Sequence, residues 1–167
     1  MRLKIFVEKN FNLLNFKNYL LSLVVAMSVF LLDRISKIKI IDSQIENDKN
    51  FINDYINFDL VWNTGIGFGL FSSDAGIIYN LITIAIGLVI FFLIYLITKS
   101  NKVEKFFFSL VLGGALGNFY DRCTYFAVPD FIDIHYKDFH WFTFNIADIF
   151  ITVGIVLLIS KDLIFKK

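Results

Sequence analysis

Two aspartates stand beside apolar segments of the chain. Asp130 follows one apolar run, and Asp148 lies near the start of the apolar run that ends the chain. An ionised side chain at membrane depth costs about 2.5–3.5 kcal/mol on insertion scales, so such residues usually mark a functional site. Two carboxylates held close together share a proton, because both cannot ionise comfortably. Such a pair, titrating as a unit, can activate a water against a peptide carbonyl, which is aspartic-protease chemistry.

An asparagine accompanies the second aspartate. Asn145 lies three residues before Asp148, which places the two side chains on one helix face. Its amide could hydrogen-bond the aspartate or a substrate carbonyl. Alternatively, Asp148 is only a first-turn acid, which the helix dipole favours. For Asp148 alone, a functional role and a purely structural role are equally supported. The presence of a second carboxylate, Asp130, favours the functional role.

A glycine-rich segment is followed by three polar residues. Gly113 and Gly117 are four apart, a small-residue spacing that lets helices pack closely in lipid. Asn118, Asp121 and Arg122 are three and four apart and share a neighbouring face. We expect these three side chains to orient a site or pair charges, and not to react themselves.

Asp33 and Lys37 are four residues apart in the first apolar segment. From the spacing alone we expect a helix-surface ion pair worth about 0.2–0.5 kcal/mol. At a membrane boundary the lysine could instead extend toward lipid headgroups.

A metal site is the alternative chemistry. Four potential ligands lie close together in the sequence: Asp130, Asp133, His135 and His140. The chain has neither an HExxH motif nor paired cysteines. We therefore predict no metal and no cofactor, and expect both histidines on a loop surface or beside Trp141. The single cysteine, Cys123, is interpreted as a small filler residue.

The composition is that of a membrane protein. Hydrophobic residues make up 57% of the 167 residues, above the roughly 45–50% typical of soluble domains. The net charge of +1 indicates no nucleic-acid partner. A spanning helix needs about 20 apolar residues. Four segments qualify, at about residues 19–41, 76–98, 106–120 and 141–160. The sequence predicts one domain, residues 1–167, an all-α bundle of four transmembrane helices.

Charge asymmetry predicts the orientation. Lysines and arginines precede the first span, separate the second from the third and follow the fourth, whereas the loop at 42–75 is mainly acidic. By the positive-inside rule both termini are cytoplasmic, and the loops at 42–75 and 121–140 are extracytoplasmic. The aspartates then lie on the extracytoplasmic side. The basic N-terminus is read as an uncleaved anchor, because the apolar run is too long for a signal peptide and no small-x-small cleavage site follows it before Asp33.

Both outer loops contain strand patterns. Residues 55–63 and 131–136 are rich in aromatic or β-branched residues with partial alternation. A small extracytoplasmic sheet could bind an extended peptide. The glycines from Gly65 onward predict a turn or a close backbone approach, with an amphipathic piece at 68–71.

At these residues the chain resembles the lipoprotein signal peptidases (signal peptidase II), integral membrane aspartyl proteases of bacteria. Five ordered motifs carry the resemblance: Asp33-Arg34-Ile35-Ser36-Lys37, Asn63-Thr64-Gly65-Ile66-Gly67-Phe68, Gly113 to Arg122, Val128-Pro129-Asp130-Phe131 and Phe144-Asn145-Ile146-Ala147-Asp148. Together they cover nearly the whole chain.

The resemblance implies that Asp130 and Asp148 are the catalytic dyad. It also implies a set of substrate-binding or site-supporting residues: Asp33, Lys37, Asn63, Gly65, Asn118, Asp121, Arg122 and Asn145. The implied substrate is a prolipoprotein carrying diacylglycerol on a cysteine, cut just before that cysteine. The implied setting is the bacterial inner membrane, with lipids as neighbours, and a monomer is the simplest state.

Two other classes of function fit part of this pattern. A proton-coupled transporter component could also use intramembrane carboxylates. However, the polar groups gather at one face, and the second span carries no charge between residues 76 and 98. A non-catalytic membrane scaffold would need the aspartates only to hold helices together. The motif order favours the peptidase over both.

Overall fold

The computed structural model describes residues 2–46, 50–65 and 76–164. Within these ranges the chain forms four helices: α1 (Arg2–Glu46), α2 (Gly76–Lys99), α3 (Lys102–Tyr125) and α4 (Ile146–Ile164). It also forms four strands: β1 (Asn50–Asn53), β2 (Ile56–Asn63), β3 (Val128–Tyr136) and β4 (Phe139–Phe144). Four helices and a small sheet were predicted, although α1 extends well beyond the predicted 19–41.

Helix α3 packs between α1 and α4 at short range. A Cβ on Gly113 would lie 2.5 Å from the carbonyl oxygen of Ala26 in α1, and one on Gly114 would lie 2.5 Å from that of Ala147 in α4. Only glycine permits such backbone approach, which confirms the close packing predicted from the small-residue spacing. Helix α2 completes the bundle through an apolar core: Ala26, Ile90, Leu93, Ile97, Val111, Leu112 and Ala115.

Two described stretches are long and apolar enough to cross a bilayer, judged by length and composition alone. They are Asn15–Ser43 and Tyr79–Lys99, with mean hydropathies of 1.7 and 2.8. Helix α2 exposes large apolar side chains such as Leu88 and Phe91. These side chains suit a lipid environment, in which apolar surface need not be buried by protein. The other two predicted spans coincide with helices α3 and α4, and their crossing of the membrane stays a prediction.

The strands form one antiparallel sheet in the order β1-β2-β3-β4. The predicted strands at 55–63 and 131–136 are confirmed as β2 and β3, and β3 begins three residues earlier than predicted. Pairing of Asn63 with Val128 brings the end of β2 beside the start of β3. The amphipathic piece predicted at 68–71 lies outside the described residues.

Two predicted boundaries were wrong. The fourth span was predicted from residue 141, but the chain there is strand β4, and α4 begins at Ile146. The aromatic run pairs with β3, for example Thr143 with Asp133, so its backbone groups are satisfied in the sheet. Asp121 and Arg122, placed in the loop 121–140, instead belong to the last turns of α3.

Candidate active site

Asp130 lies at the start of β3 and is 4% exposed. Its two carboxylate oxygens accept hydrogen bonds from different asparagines. Asn63 Nδ2, at the end of β2, donates to Oδ2 over 2.9 Å, and Asn145 Nδ2 donates to Oδ1 over 2.6 Å. The antiparallel pairing of β2 with β3 explains the first contact, because it places Asn63 beside the start of β3.

Burial raises the pKa of Asp130 from 3.8 to about 6, since a low-dielectric surrounding disfavours the charged carboxylate. The hydrogen bond from Asn63 works against this rise, the negative charge of Asp148 adds to it, and the hydrogen bond from Asn145 opposes it. The net effect of burial is a carboxyl group that keeps its proton to a higher pH than an ordinary aspartate.

Asp148 lies in the first turn of α4, the position given to it by the alternative interpretation from the helix dipole. Its Oδ2 accepts from the backbone N–H of Asn145 over 3.2 Å, and its own backbone N–H donates to Asn145 Oδ1 over 3.0 Å. This reciprocal arrangement is that of a capping box, which explains why the helix begins here. Asn118 Nδ2 donates to the other oxygen, Oδ1, over 2.8 Å.

Asn145 connects the two aspartates. It is fully buried, its side chain contacts Asp130, and its backbone N–H contacts Asp148. Its Nδ2 also donates to Asn118 Oδ1 over 3.2 Å. The side-chain amide of Asn145 was predicted to hydrogen-bond the neighbouring aspartate or a substrate carbonyl. Its Nδ2 donates instead to the carboxylate of Asp130, and only its Oδ1 contacts Asp148, by accepting the backbone N–H.

A buried lysine supports the site from α1. Lys37 Nζ donates to Asp33 Oδ2 over 2.8 Å, to Asp121 Oδ2 over 2.6 Å and to Asn118 Oδ1 over 2.9 Å. The side chains of Lys37, Asp33 and Asp121 are all 0% exposed. The predicted surface ion pair, and the alternative of a lysine reaching toward headgroups, were therefore wrong. Helix α3 covers the pair and supplies a second carboxylate.

Asp33 also links α1 to the start of α4. Its Oδ1 accepts a hydrogen bond over 2.9 Å from the backbone N–H of Ala147, the residue directly before Asp148. A Cβ on Gly117 would lie 2.5 Å from Asp33 Oδ2, so this glycine makes room for the carboxylate. The position of Asp148 thus depends on the hydrogen bond between Asp33 and Ala147, and on the space that Gly117 of α3 leaves for Asp33.

Arg34 is a supporting residue that the residue types did not single out. Its guanidinium forms an ion pair with Asp121 Oδ1 and lies over the rings of Tyr120 and Tyr125. Asp121 therefore receives two cations, one on each oxygen. The signal in the sequence was the spacing Arg34 to Lys37, one helical turn on α1.

Arg122 contacts Gly65, which lies two residues after the end of β2. Its Nη2 donates to the carbonyl oxygen of Gly65 over 2.8 Å, and the N–H of Gly65 donates to Asn63 Oδ1 over 3.0 Å. Tyr79 donates its hydroxyl to the carbonyl oxygen of Arg122 over 2.8 Å. These bonds fix Asn63, and Asn63 in turn positions Asp130.

A cavity of about 210 Å³ opens on this arrangement. Its walls combine polar and apolar side chains: Asn63, Asn118, Arg122, Val128, Asp130, Phe142, Thr143, Phe144 and Asp148. Both aspartates line it. It has room for several waters, since one water takes up about 30 Å³ in the liquid. The other predicted residues are not part of its wall: Asp33, Lys37, Gly65, Asp121 and Asn145.

A family model described as signal peptidase (SPase) II matches residues 25–164. The chain belongs to this family. It is 49% identical over 158 residues to a lipoprotein signal peptidase of Pelagibacter ubique (strain HTCC1062), covering 93% of this chain and 95% of that protein. A lipoprotein signal peptidase of Anaplasma marginale (strain Florida) is 32% identical over 151 residues, covering 89% of this chain and 88% of that protein.

Solved structures agree with the family assignment. A bacterial membrane enzyme determined by the in meso method at 2.3 Å resolution superposes with a TM-score of 0.74 at 30% identity, covering 87% of this chain and 91% of that one. A second such structure, at 1.9 Å resolution, gives a TM-score of 0.73 at 29% identity, covering 83% and 90%. The family resemblance inferred from the five motifs is confirmed, and the protein is a protease of the signal peptidase II type.

Proposed function

We propose that this protein removes signal peptides from diacylglyceryl-modified prolipoproteins, cutting before the lipidated cysteine, with Asp130 and Asp148 as its catalytic dyad. The names of its relatives support the substrate class, since those proteins are lipoprotein signal peptidases. The observation that carries the dyad is that both aspartates line one cavity and contact the same buried Asn145.

The reaction needs one proton shared between the two carboxyl groups. We assign that proton to Asp130, whose pKa burial raises to about 6. Asp148, at the half-buried edge of the cavity, takes a proton from water while the water oxygen attacks the scissile carbonyl carbon. Asp130 then protonates the carbonyl oxygen. On collapse, one hydroxyl proton returns to Asp130, and Asp148 protonates the leaving amine.

The asparagines position the reacting groups. Asn145 and Asn63 hold the two oxygens of Asp130, and Asn118 holds one oxygen of Asp148. Such preorganisation matters because a misplacement of about 1 Å can cost on the order of 10²-fold in rate. The remaining supporting residues act through these asparagines and through the start of α4.

We further propose four membrane-spanning helices in the bacterial inner membrane, with both termini cytoplasmic and the site on the extracytoplasmic side. Asp130 lies at the start of β3 and Asp148 at the start of α4, both next to the sheet. The basic link between α2 and α3 lies at the opposite end of α3 from β3. The lipid of the substrate can then stay in the outer leaflet. A monomer suffices, because one chain supplies both aspartates.

The test is a mass-shift assay with purified protein in detergent. Lipidated prolipoprotein should be cut directly before the lipidated cysteine, and an unlipidated control should not be cut. Asp130→Asn and Asp148→Asn should each lower the rate by about 10²–10⁴-fold, since each removes a proton-transfer group. Asp138→Asn is the matched control, because Asp138 is an exposed acid on the β3–β4 turn. Intact substrate with well-folded wild-type protein would refute the proposal and favour a membrane scaffold.

A further inference from the structure

Both histidines of the chain lie beside one aspartate in the sheet. Asp133 and His135 are two residues apart on β3, so their side chains share one face. His140 on β4 pairs directly with His135, which places it on that face as well. Both histidines were expected on a loop surface or beside Trp141. The loop position was wrong, since each lies in a strand and His135 is buried, whereas His140 directly precedes Trp141 in β4.

The three side chains converge closely. His140 Nδ1 lies 2.7 Å from Asp133 Oδ2, and His135 Nδ1 lies 3.7 Å from the same oxygen. One ligand atom from each residue lies within 4.8 Å of the other two. The imidazole rings stack with centroids 5.3 Å apart.

The protein leaves one nitrogen of this cluster unsatisfied. His135 Nδ1 is buried and makes no hydrogen bond within the part of the chain that the structure describes. Its side chain is 8% exposed, so solvent has little access to it. A buried polar atom without a partner costs about 1–3 kcal/mol. A cation shared with Asp133 would satisfy this nitrogen.

The distances suit a tetrahedral cation. With bonds of about 2.0–2.2 Å, two ligand atoms of a tetrahedral zinc lie about 3.3–3.6 Å apart. The observed separations of 2.7 Å and 3.7 Å bracket that value. The side chain of His140 is 56% exposed, so it is free to move toward this spacing.

We infer that Asp133, His135 and His140 form a binding site for a divalent transition-metal cation of the zinc type, fastening β3 to β4. Two imidazoles and one carboxylate are a ligand set that zinc accepts, and three protein ligands leave a fourth position for water. The site is separate from the catalytic cavity, whose lining residues include none of the three. The inference goes beyond the proposed peptidase function and does not depend on it.

The test measures zinc binding to the full chain, purified with a tag that contains no histidine. Isothermal titration calorimetry in detergent should show one Zn²⁺ per chain, and Zn²⁺ should raise the thermal unfolding midpoint. His140→Gln should weaken binding by about tenfold or more, because changing even an outer partner of a metal ligand costs about 10–100-fold. This variant should fold, since the side chain of His140 is exposed.

Asp138→Asn is the matched control, because it removes an exposed acid from the same hairpin without touching the cluster. Its zinc affinity should equal that of the wild type. Cobalt(II) provides a second readout: a tetrahedral visible absorption band should appear in the wild type and be lost in His140→Gln. Absence of saturable zinc binding by the wild type, or equal affinity in the wild type and His140→Gln, overturns the inference.

Discussion

Replacing Lys37 with methionine should strongly destabilise the protein. Lys37 lies 2.8 Å from Asp33 and 2.6 Å from Asp121, and all three side chains are 0% exposed. Methionine fills much of the same volume but removes the charge. Removing one partner of a buried ion pair costs about 3–5 kcal/mol, because it leaves an uncompensated buried charge. Asp121 keeps its ion pair with Arg34, so Asp33 is the carboxylate left without a cation.

That loss corresponds to a fall in unfolding midpoint of about 6–20 °C, since 1 kcal/mol shifts the midpoint by about 2–4 °C in chains of this size. Tryptophan fluorescence during heating in detergent micelles would measure it. Lys39→Met is the matched control, because Lys39 is an exposed lysine on the same helix. Surface substitutions of this kind usually change stability by less than about 0.5 kcal/mol.

A double variant isolates the charge effect. Asp33→Asn combined with Lys37→Met removes the stranded carboxylate, while the asparagine oxygen can still accept the N–H of Ala147. We expect the double variant to recover more than half of the lost midpoint. Equal midpoints for Lys37→Met and Lys39→Met would refute the reasoning, and so would a double variant no more stable than Lys37→Met.

Two further predictions concern packing and pH. Gly117→Ala should lower the unfolding midpoint by an amount equivalent to about 1–3 kcal/mol, because its Cβ would lie 2.5 Å from Asp33 Oδ2. Gly76→Ala, with nothing within 4 Å, is the control, and equal losses would contradict this account. The raised pKa of Asp130, about 6 against 3.8, favours its protonated form in the folded state. The resulting stability is present below about pH 4 and is lost as the pH rises through about 6. The unfolding midpoint of the wild type should therefore fall more than that of Asp130→Asn between these pH values. An equal fall of the midpoint in the two proteins would contradict this prediction.

The helices and two of the strands could be predicted because their signals are local. Apolar runs about 20 residues long predict helices, and alternation predicted β2 and β3. Strand β4 was not predicted, because its aromatic run Phe139–Phe144 also fits the start of an apolar span. Its pairing with β3 decided between the two, and a pairing partner is not visible in the run itself.

The Lys37 cluster shows a similar limit. The spacing of Asp33 and Lys37 predicts their contact, since residues four apart are neighbours on any helix. The third member, Asp121, lies 84 residues farther along the chain than Lys37. Its approach depends on the close packing of α3 against α1, and that packing turns a surface pair into a buried one. The low energy assigned from spacing was wrong for this reason.

The sequence by itself determined the family, the number of helices and the identity of the candidate carboxylates, because motif residues and hydropathy are properties of short segments. Only the tertiary structure decided that Asn145 contacts both aspartates, that burial raises the pKa of Asp130, and that the two histidines meet Asp133. These features depend on desolvation and hydrogen bonding between segments far apart in the chain. Their free energies exist only once the helices and the sheet have packed together.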